Sequence, residues 1–77
     1  MTYYAQRLLL LLGRLSVGSI QKFAEELHVE PGELFSAASE LSRAGYLVVY
    51  DMRDNSFANN KMLEITQKGL DFIQAYD

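Results

Sequence analysis

The chain has 77 residues, the length of one small domain, and its ten acidic and seven basic side chains give a formal net charge of −3. A hydrophobic content of 49% and a charged content of 22% are typical of a globular protein and argue against disorder. With no cysteine and one histidine, the composition excludes disulfides and thiolate metal sites and argues against a zinc site, so we expect no cofactor.

The first predicted helix runs from Thr2 to about Arg14. Apolar residues at helical spacing form the stripe that we expect to face the core: Tyr4, Leu8, Leu11, Leu12 and Leu15. The five consecutive leucines in this segment are too few for a membrane span, and their flanks lack the pattern of a secretory signal. We therefore expect a soluble, cytoplasmic protein.

Two further helices are predicted after a break at Ser16-Val17-Gly18. Ser19 is expected to cap the second helix, and a tight turn at 28–30 is expected to end it. Pro31 favours the start of a third helix, which is expected to reach about Ala44 and to end at Gly45. The residues predicted to face the core are Ile20, Phe23, Ala24 and Leu27 in the second helix and Leu34, Ala38 and Leu41 in the third.

The remainder of the chain predicts a hairpin and a final helix. Residues 46–50 are β-branched or aromatic and indicate a strand, and Lys61 to Ile65 indicates the returning strand. Thr66 is expected to cap a last helix. The order helix, helix, helix, strand, strand, helix predicts a mostly helical α+β fold, with one domain over residues 1–77.

Two motifs resemble those of winged-helix regulators. The stretch SIQKFAEELHVEPGELFSAASELSRAGYLVV resembles their helix-turn-helix, and LEITQKG is similar to the segment with which MarR-like and PadR-like proteins leave the wing and begin their last helix. The resemblance implies a winged-helix fold: a three-helix core with a helix-turn-helix, a β-hairpin wing and a C-terminal helix. It also implies a duplex-DNA partner, a role in transcription regulation and a homodimer.

In a helix-turn-helix the second helix of the pair enters the major groove while the first crosses the backbone. Ser19 and Lys22 would then hold phosphates; the alternative is that Ser19 is only a cap and Lys22 a solvated lysine. Arg53, Asn55 and Lys61 would lie in the wing. The exposed residues of the third helix complete the predicted DNA-binding set: Glu33, Ser36, Ala37, Ser39 and Arg43.

The charge of the third helix argues against this interpretation. Residues 30–43 contain three glutamates and one arginine, whereas DNA readers usually present arginine, lysine, asparagine or glutamine. Phe35 also falls on the face that would meet DNA. It either completes the core or anchors a protein partner, and the alternative function is therefore a winged-helix module for protein–protein contact that does not bind DNA.

The terminal helices and the third helix carry apolar residues away from the predicted core, and these predict a dimer or partner interface: Tyr3, Leu9, Leu10, Leu70 and Tyr76 on the terminal helices and Phe35 on the third. Catalysis is not expected, because neither a nucleophile–base pair nor a glycine-rich phosphate loop is present. His28 lies in a turn, where we expect it to be structural.

Overall fold

A computed structural model describes residues 1–51 and 61–76. Within them, four helices and three strands follow the order α1 (Tyr3–Leu15), β1 (Val17–Ser19), α2 (Ile20–Leu27), α3 (Pro31–Arg43), β2 (Leu47–Asp51), β3 (Lys61–Ile65) and α4 (Gln67–Tyr76). The strands form one antiparallel sheet in the order β1-β3-β2. The predicted α+β, mostly helical, winged-helix fold class is confirmed.

The strand β1 is a correction, because the sequence predicted only a break at Ser16-Val17-Gly18. Val17 pairs with Glu64 and Ser19 with Met62, so β1 adds a third strand beside β3. A Cβ atom on Gly18 would come within 2.8 Å of the ring of Phe23, and the missing side chain therefore lets this strand lie against α2. Three residues are too few to show the alternation by which strands are recognised.

The buried face of α1 also differs from the predicted stripe. Leu8 and Leu12 are buried as predicted, but Tyr4 and Leu15 are exposed, and Ala5 and Leu9 take their places in the core. Leu9 is 2% exposed, so its predicted exposure at an interface is wrong. A run of five leucines fits two neighbouring stripes equally well, and the spacing alone does not choose between them.

The helix-turn-helix follows the prediction more closely. All seven residues predicted to face the core from α2 and α3 are buried. Ser19 accepts a hydrogen bond from the backbone N–H of Lys22 at 3.1 Å, as an N-cap does, and Pro31 is in the first turn of α3. His28 adopts the left-handed conformation with φ 57°, which confirms the tight turn.

Ala37 is a second correction, because it was predicted to be exposed and is 4% exposed. The helix α3 contacts both α1 and α2 and also β2, so its buried face is wider than Leu34, Ala38 and Leu41 alone indicate. An alanine on the flank of that stripe is then covered by a neighbouring helix.

The C-terminus of α3 ends in a Schellman motif. Gly45 has φ +85°, its N–H donates to Ser42 O at 3.0 Å, and the N–H of Tyr46 donates to Leu41 O at 3.0 Å. The predicted role of Gly45 is confirmed, and the chain turns from α3 directly into β2.

Candidate nucleic-acid interface

The helix α3 presents one small, polar face away from the core. Because residues four and seven apart lie on the same side of a helix, Gly32, Ser36, Ser39 and Arg43 share a face opposite Leu34. Gly32, Ser36 and Arg43 are exposed, and Ser39 is half-buried. We call these four residues the outward ridge, and three of them belong to the predicted DNA-binding set.

The glutamates of α3 lie to one side of the outward ridge. Glu33 and Glu40 are seven residues apart and, with Thr2 and Tyr4, line a groove between α3 and the start of α1. The carboxylate of Glu40 accepts a hydrogen bond from the backbone N–H of Thr2 at 3.1 Å. The charge count over residues 30–43 therefore overstated the negative charge of the outward ridge. The seven-residue spacing of Glu33 and Glu40 is the sequence signal that could have placed both on another side of the helix.

The first turn of α3 is open. Within the described residues, the side chain of the N-cap residue Glu30 makes no hydrogen bond to the start of the helix. The hydroxyl of Ser36 donates to the carbonyl of Gly32 at 3.3 Å. Unsatisfied N–H groups at a helix start carry partial positive charge. The N–H groups of this end are therefore open to an anion, but the exposed carboxylates of Glu30 and Glu33 in the same turn oppose one.

Ser19 caps the start of α2, and Lys22 lies in the first turn of that helix. The oxygen of Ser19 is used in capping, and its O–H remains a donor. Lys22 is exposed but shares its side of α2 with Glu25 and Glu26, which follow it by three and four residues. These carboxylates reduce the local positive potential around the lysine.

The wing is the hairpin of β2 and β3. The predicted contacts Arg53 and Asn55 lie outside the described residues, whereas Lys61 is described and forms an ion pair with Asp51 across the hairpin. On the outer face of the sheet, the hydroxyl of Tyr50 donates to Glu64 at 3.1 Å. Desolvation, followed by the Glu64 carboxylate, raises the pKa of Tyr50 above its ordinary value, so the phenol stays protonated and keeps this bond.

The residues predicted to form an interface on the two terminal helices differ in their exposure. Tyr3 is 66% exposed and Leu10 is 54% exposed on α1, while Leu70 on α4 is half-buried. Leu10 also lines a small apolar groove of about 40 Å³ between α1 and α4, together with Met1, Gln6, Leu9, Phe72 and Ile73. Tyr76 belongs to α4, but its side chain lies outside what the structure describes.

Phe35 is 42% exposed at the edge of the outward ridge. The sequence left open whether it completes the core, and this exposure contradicts that possibility, because Phe35 is neither among the described core residues nor among those packed against them. Among the described residues, no group of three or more His, Asp or Glu side chains is arranged to hold a metal ion, and none of the helices in that part of the chain is long and apolar enough to cross a membrane.

Comparison with solved structures finds the same arrangement of helices and strands in other proteins. The transcriptional regulator homologue from Pyrococcus horikoshii OT3 superposes with a TM-score of 0.83 at 19% identity, over 94% of this chain and 70% of that protein. MarR gives 0.81 at 21% identity, and NadR in complex with 4-hydroxyphenylacetate gives 0.80 at 19% identity.

Those two matches cover 99% and 97% of this chain, which spans 54% of MarR and 52% of NadR. No protein-family model and no curated protein sequence matches the chain. At such identities the likeness concerns the arrangement of helices and strands, which agrees with the predicted MarR-like resemblance. The chain has the winged-helix fold of the MarR-like transcriptional regulators.

Proposed function

We propose that this chain is a DNA-binding transcriptional regulator that acts in the cytoplasm as a homodimer and forms one domain over residues 1–77. The observation that carries the proposal is the outward ridge, a small and polar helix face that ends in Arg43 and has Glu33 and Glu40 turned toward α1. We assign the chain no catalytic role.

Small side chains on the outward ridge favour a close approach of α3 to the floor of a major groove. Gly32, Ser36 and Ser39 add little bulk, and the serine hydroxyls are able to donate to or accept from base edges. Arg43 supplies the guanidinium that pairs with guanine in two hydrogen bonds. Sequence reading therefore falls to Arg43 and the two serines.

The phosphate contacts are expected to be few. Residues 19–43 contain two basic and five acidic side chains, so Lys22 at α2 and the open start of α3 carry most of the attraction on this face. In the wing, Lys61 would exchange Asp51 for a phosphate, while Arg53 and Asn55 are proposed from the sequence alone. Each neutralised phosphate adds about −0.9 to the slope of log affinity against log salt, so the slope should be shallow.

The test is fluorescence anisotropy with a mixed pool of duplex DNA, measured over a series of salt concentrations. Lys22→Ala should weaken binding to all sequences and reduce the salt slope by about 1, while Arg43→Ala should cost about 1–3 kcal/mol on the preferred sequences only. Arg14→Ala removes an exposed arginine from the end of α1 and is the matched control.

Binding by the parent that is unchanged in Arg14→Ala, weakened on all sequences in Lys22→Ala and weakened only on the preferred sequences in Arg43→Ala would support the proposal. Flat anisotropy of the parent at low salt would contradict it, because even non-specific binders respond at micromolar protein under those conditions.

The proposed dimer interface is the exposed apolar surface of α1 and α4. Tyr3 and Leu10 are seven residues apart on α1, and Leu10 borders the apolar groove against α4. Leu10→Ser should convert a dimer to a monomer in sedimentation, whereas Leu15→Ser, at an exposed leucine of the same helix, should not. A parent that sediments as a monomer at the concentrations where it binds DNA would contradict the dimer.

The second candidate is a protein-docking module, and the exposed ring of Phe35 favours it. An exposed aromatic ring is suited to anchor a protein partner through apolar contacts. This candidate predicts no DNA binding at low salt. It also predicts that Phe35→Ser changes the stability of the free chain only slightly, because a half-exposed ring contributes little to the core.

A further inference from the structure

The start of α4 is bonded to three successive carbonyl groups at the end of α3. The ammonium of Lys68 donates to Ala44 O at 2.8 Å, the hydroxyl of Thr66 donates to Gly45 O at 2.7 Å, and the N–H of Thr66 donates to Tyr46 O at 3.0 Å. We call these five residues the α3–α4 junction. They join the end of the proposed reading helix to the start of the proposed dimer helix.

The hydroxyl of Thr66 has two roles in the junction. Besides donating to Gly45 O, it accepts a hydrogen bond from the N–H of Gly69 at 3.1 Å and so caps α4. The same atom therefore caps α4 and joins it to the turn that follows α3. A hydroxyl has one proton and spare lone pairs, so both bonds form together.

Close packing also stabilises the α3–α4 junction. A Cβ atom on Gly69 would lie 2.3 Å from the carbonyl oxygen of Tyr46, so α4 rests directly on that backbone group. The ring of Tyr46 lies 4.7 Å from the ring of Phe72 between centroids, and the ammonium of Lys68 lies 5.4 Å from the centre of the Tyr46 ring. The carbonyl end of a helix carries partial negative charge, which favours the ammonium there.

We propose that Thr66 and Lys68 are positioning residues that hold α3 at a fixed angle to α4, so that a displacement of α4 is transmitted to α3. Rigid helices joined by directional hydrogen bonds are a physical route for such coupling. The consequence for regulation rests on the proposed function, in which α3 reads DNA and α4 belongs to the dimer interface. A partner or ligand that moved α4 would then change the spacing of the two reading helices.

The other contacts of α3 differ in character from the junction. Toward α1 and α2 its buried residues are leucines and alanines, and one hydrogen bond, from the N–H of Thr2 to Glu40, joins its side to the start of α1. Hydrogen bonds to three consecutive carbonyls specify an orientation because each weakens steeply when its angle changes. Loss of the junction should therefore loosen the direction of α3 and leave it attached to the core.

The test measures the distance between α3 and α4 by pulsed dipolar EPR. Because the chain contains no cysteine, Ser36→Cys on α3 and Gln74→Cys on α4 give two defined label sites. Labelled protein is diluted with unlabelled protein so that only distances within one chain are recorded. The distribution is compared among the parent, Lys68→Met, Thr66→Val, the double variant and Gln67→Met.

Gln67→Met is the matched control, because Gln67 is in the same turn as Lys68 and its side chain donates to Asp71 within α4 at 3.0 Å. We expect one narrow distance distribution in the parent and in this control. Lys68→Met, which changes an exposed side chain and should fold, is expected to broaden or shift it, and the double variant more so. A double variant that folds and keeps the parental distribution would overturn the proposal, as would a broad distribution in the parent.

A second measurement compares affinity for DNA with half-sites at varied spacing. The parent should prefer one spacing, and Lys68→Met should accept several at an unchanged melting temperature, a result that a merely structural role would not give. Failure of the parent to bind DNA together with a broader EPR distribution in the variants would sink the proposed function and leave the positioning role standing. DNA binding by the parent, together with EPR distributions that are unchanged in the variants, would support the proposed function and overturn the positioning role.

Discussion

The two ends of α3 are held in different ways. At its C-terminus, Gly45 and Tyr46 complete a Schellman motif, and the α3–α4 junction binds the remaining carbonyls. At its N-terminus, Glu30 makes no capping side-chain bond within the described residues, and a Cβ atom on Gly32 would meet nothing described within 4 Å. One end is fixed by hydrogen bonds and packing, and the other is open.

This difference agrees with the separate functions proposed for the two ends of α3. An open first turn keeps backbone N–H groups available for an anion, at a cost in the stability of the free protein. A bonded last turn fixes the direction of the helix without using the face that would meet DNA. Changes at Gly69 and Thr66, the less exposed residues of the C-terminal end, should therefore lower stability, and suitable changes at the N-terminal end should raise it.

The largest effect is expected for Gly69→Ala. The added methyl group would lie 2.3 Å from the Tyr46 carbonyl oxygen, a backbone atom that cannot rotate away. Overpacking of this kind costs about 3 kcal/mol of unfolding free energy, measurable by chemical denaturation. Gly13→Ala is the control, because its methyl group meets only the tip of the Ile73 side chain. Equal losses in the two variants would contradict the close contact at Gly69.

Thr66→Val should be the next most destabilising change. It keeps the volume of the side chain but leaves Gly45 O and the N–H of Gly69 without their hydroxyl partner, which costs about 2 kcal/mol. Thr66→Ser keeps the hydroxyl and should recover most of the stability in the same denaturation experiment. If valine and serine behaved alike, the two hydrogen bonds would have no measurable part in the bonded end of α3.

Most of the fold was predictable because its signals are local. Proline at the start of α3, glycine at its end and serine at the start of α2 each specify a backbone conformation or a cap. The buried face of α1 and the strand β1 could not be predicted, because both depend on contacts with residues distant in the sequence. The leucine run fits two stripes, and β1 exists only where Gly18 lies beside Phe23 and pairs with β3.

The sequence identified several residues of the candidate site, but it did not predict how they are arranged on the surface. The sequence named Ser36, Ser39 and Arg43, which share the outward ridge, but it also named Ala37, which is buried. It did not show that Glu40 contacts Thr2, since that bond joins residues 38 positions apart. The role of Lys68 was hidden for the same reason, because its carbonyl partner, Ala44 O, lies 24 residues away at the end of α3.

At the open end of α3, Glu30→Asp should stabilise the protein. The backbone of Glu30 has φ −67° and ψ 141°, the extended conformation from which an aspartate side chain accepts from the first turn. The charge is unchanged, so the gain of about 1 kcal/mol comes from the cap alone. Glu26→Asp, on the exposed side of α2, is the control and should lose a few tenths of a kcal/mol through lower helix propensity. A gain in thermal stability for both variants would point to a cause other than capping.

Gly32→Ala is expected to give the smallest change in stability, and it separates stability from function most directly. Alanine restricts the unfolded chain and meets nothing described within 4 Å in the folded one, so we expect a gain of about 0.5 kcal/mol in denaturation. Under the proposed function the same methyl group projects from the outward ridge and hinders the approach to DNA. Stability and DNA affinity should then move in opposite directions, whereas a variant that gains stability and binds DNA as the parent does would place the DNA contact elsewhere than this end of α3.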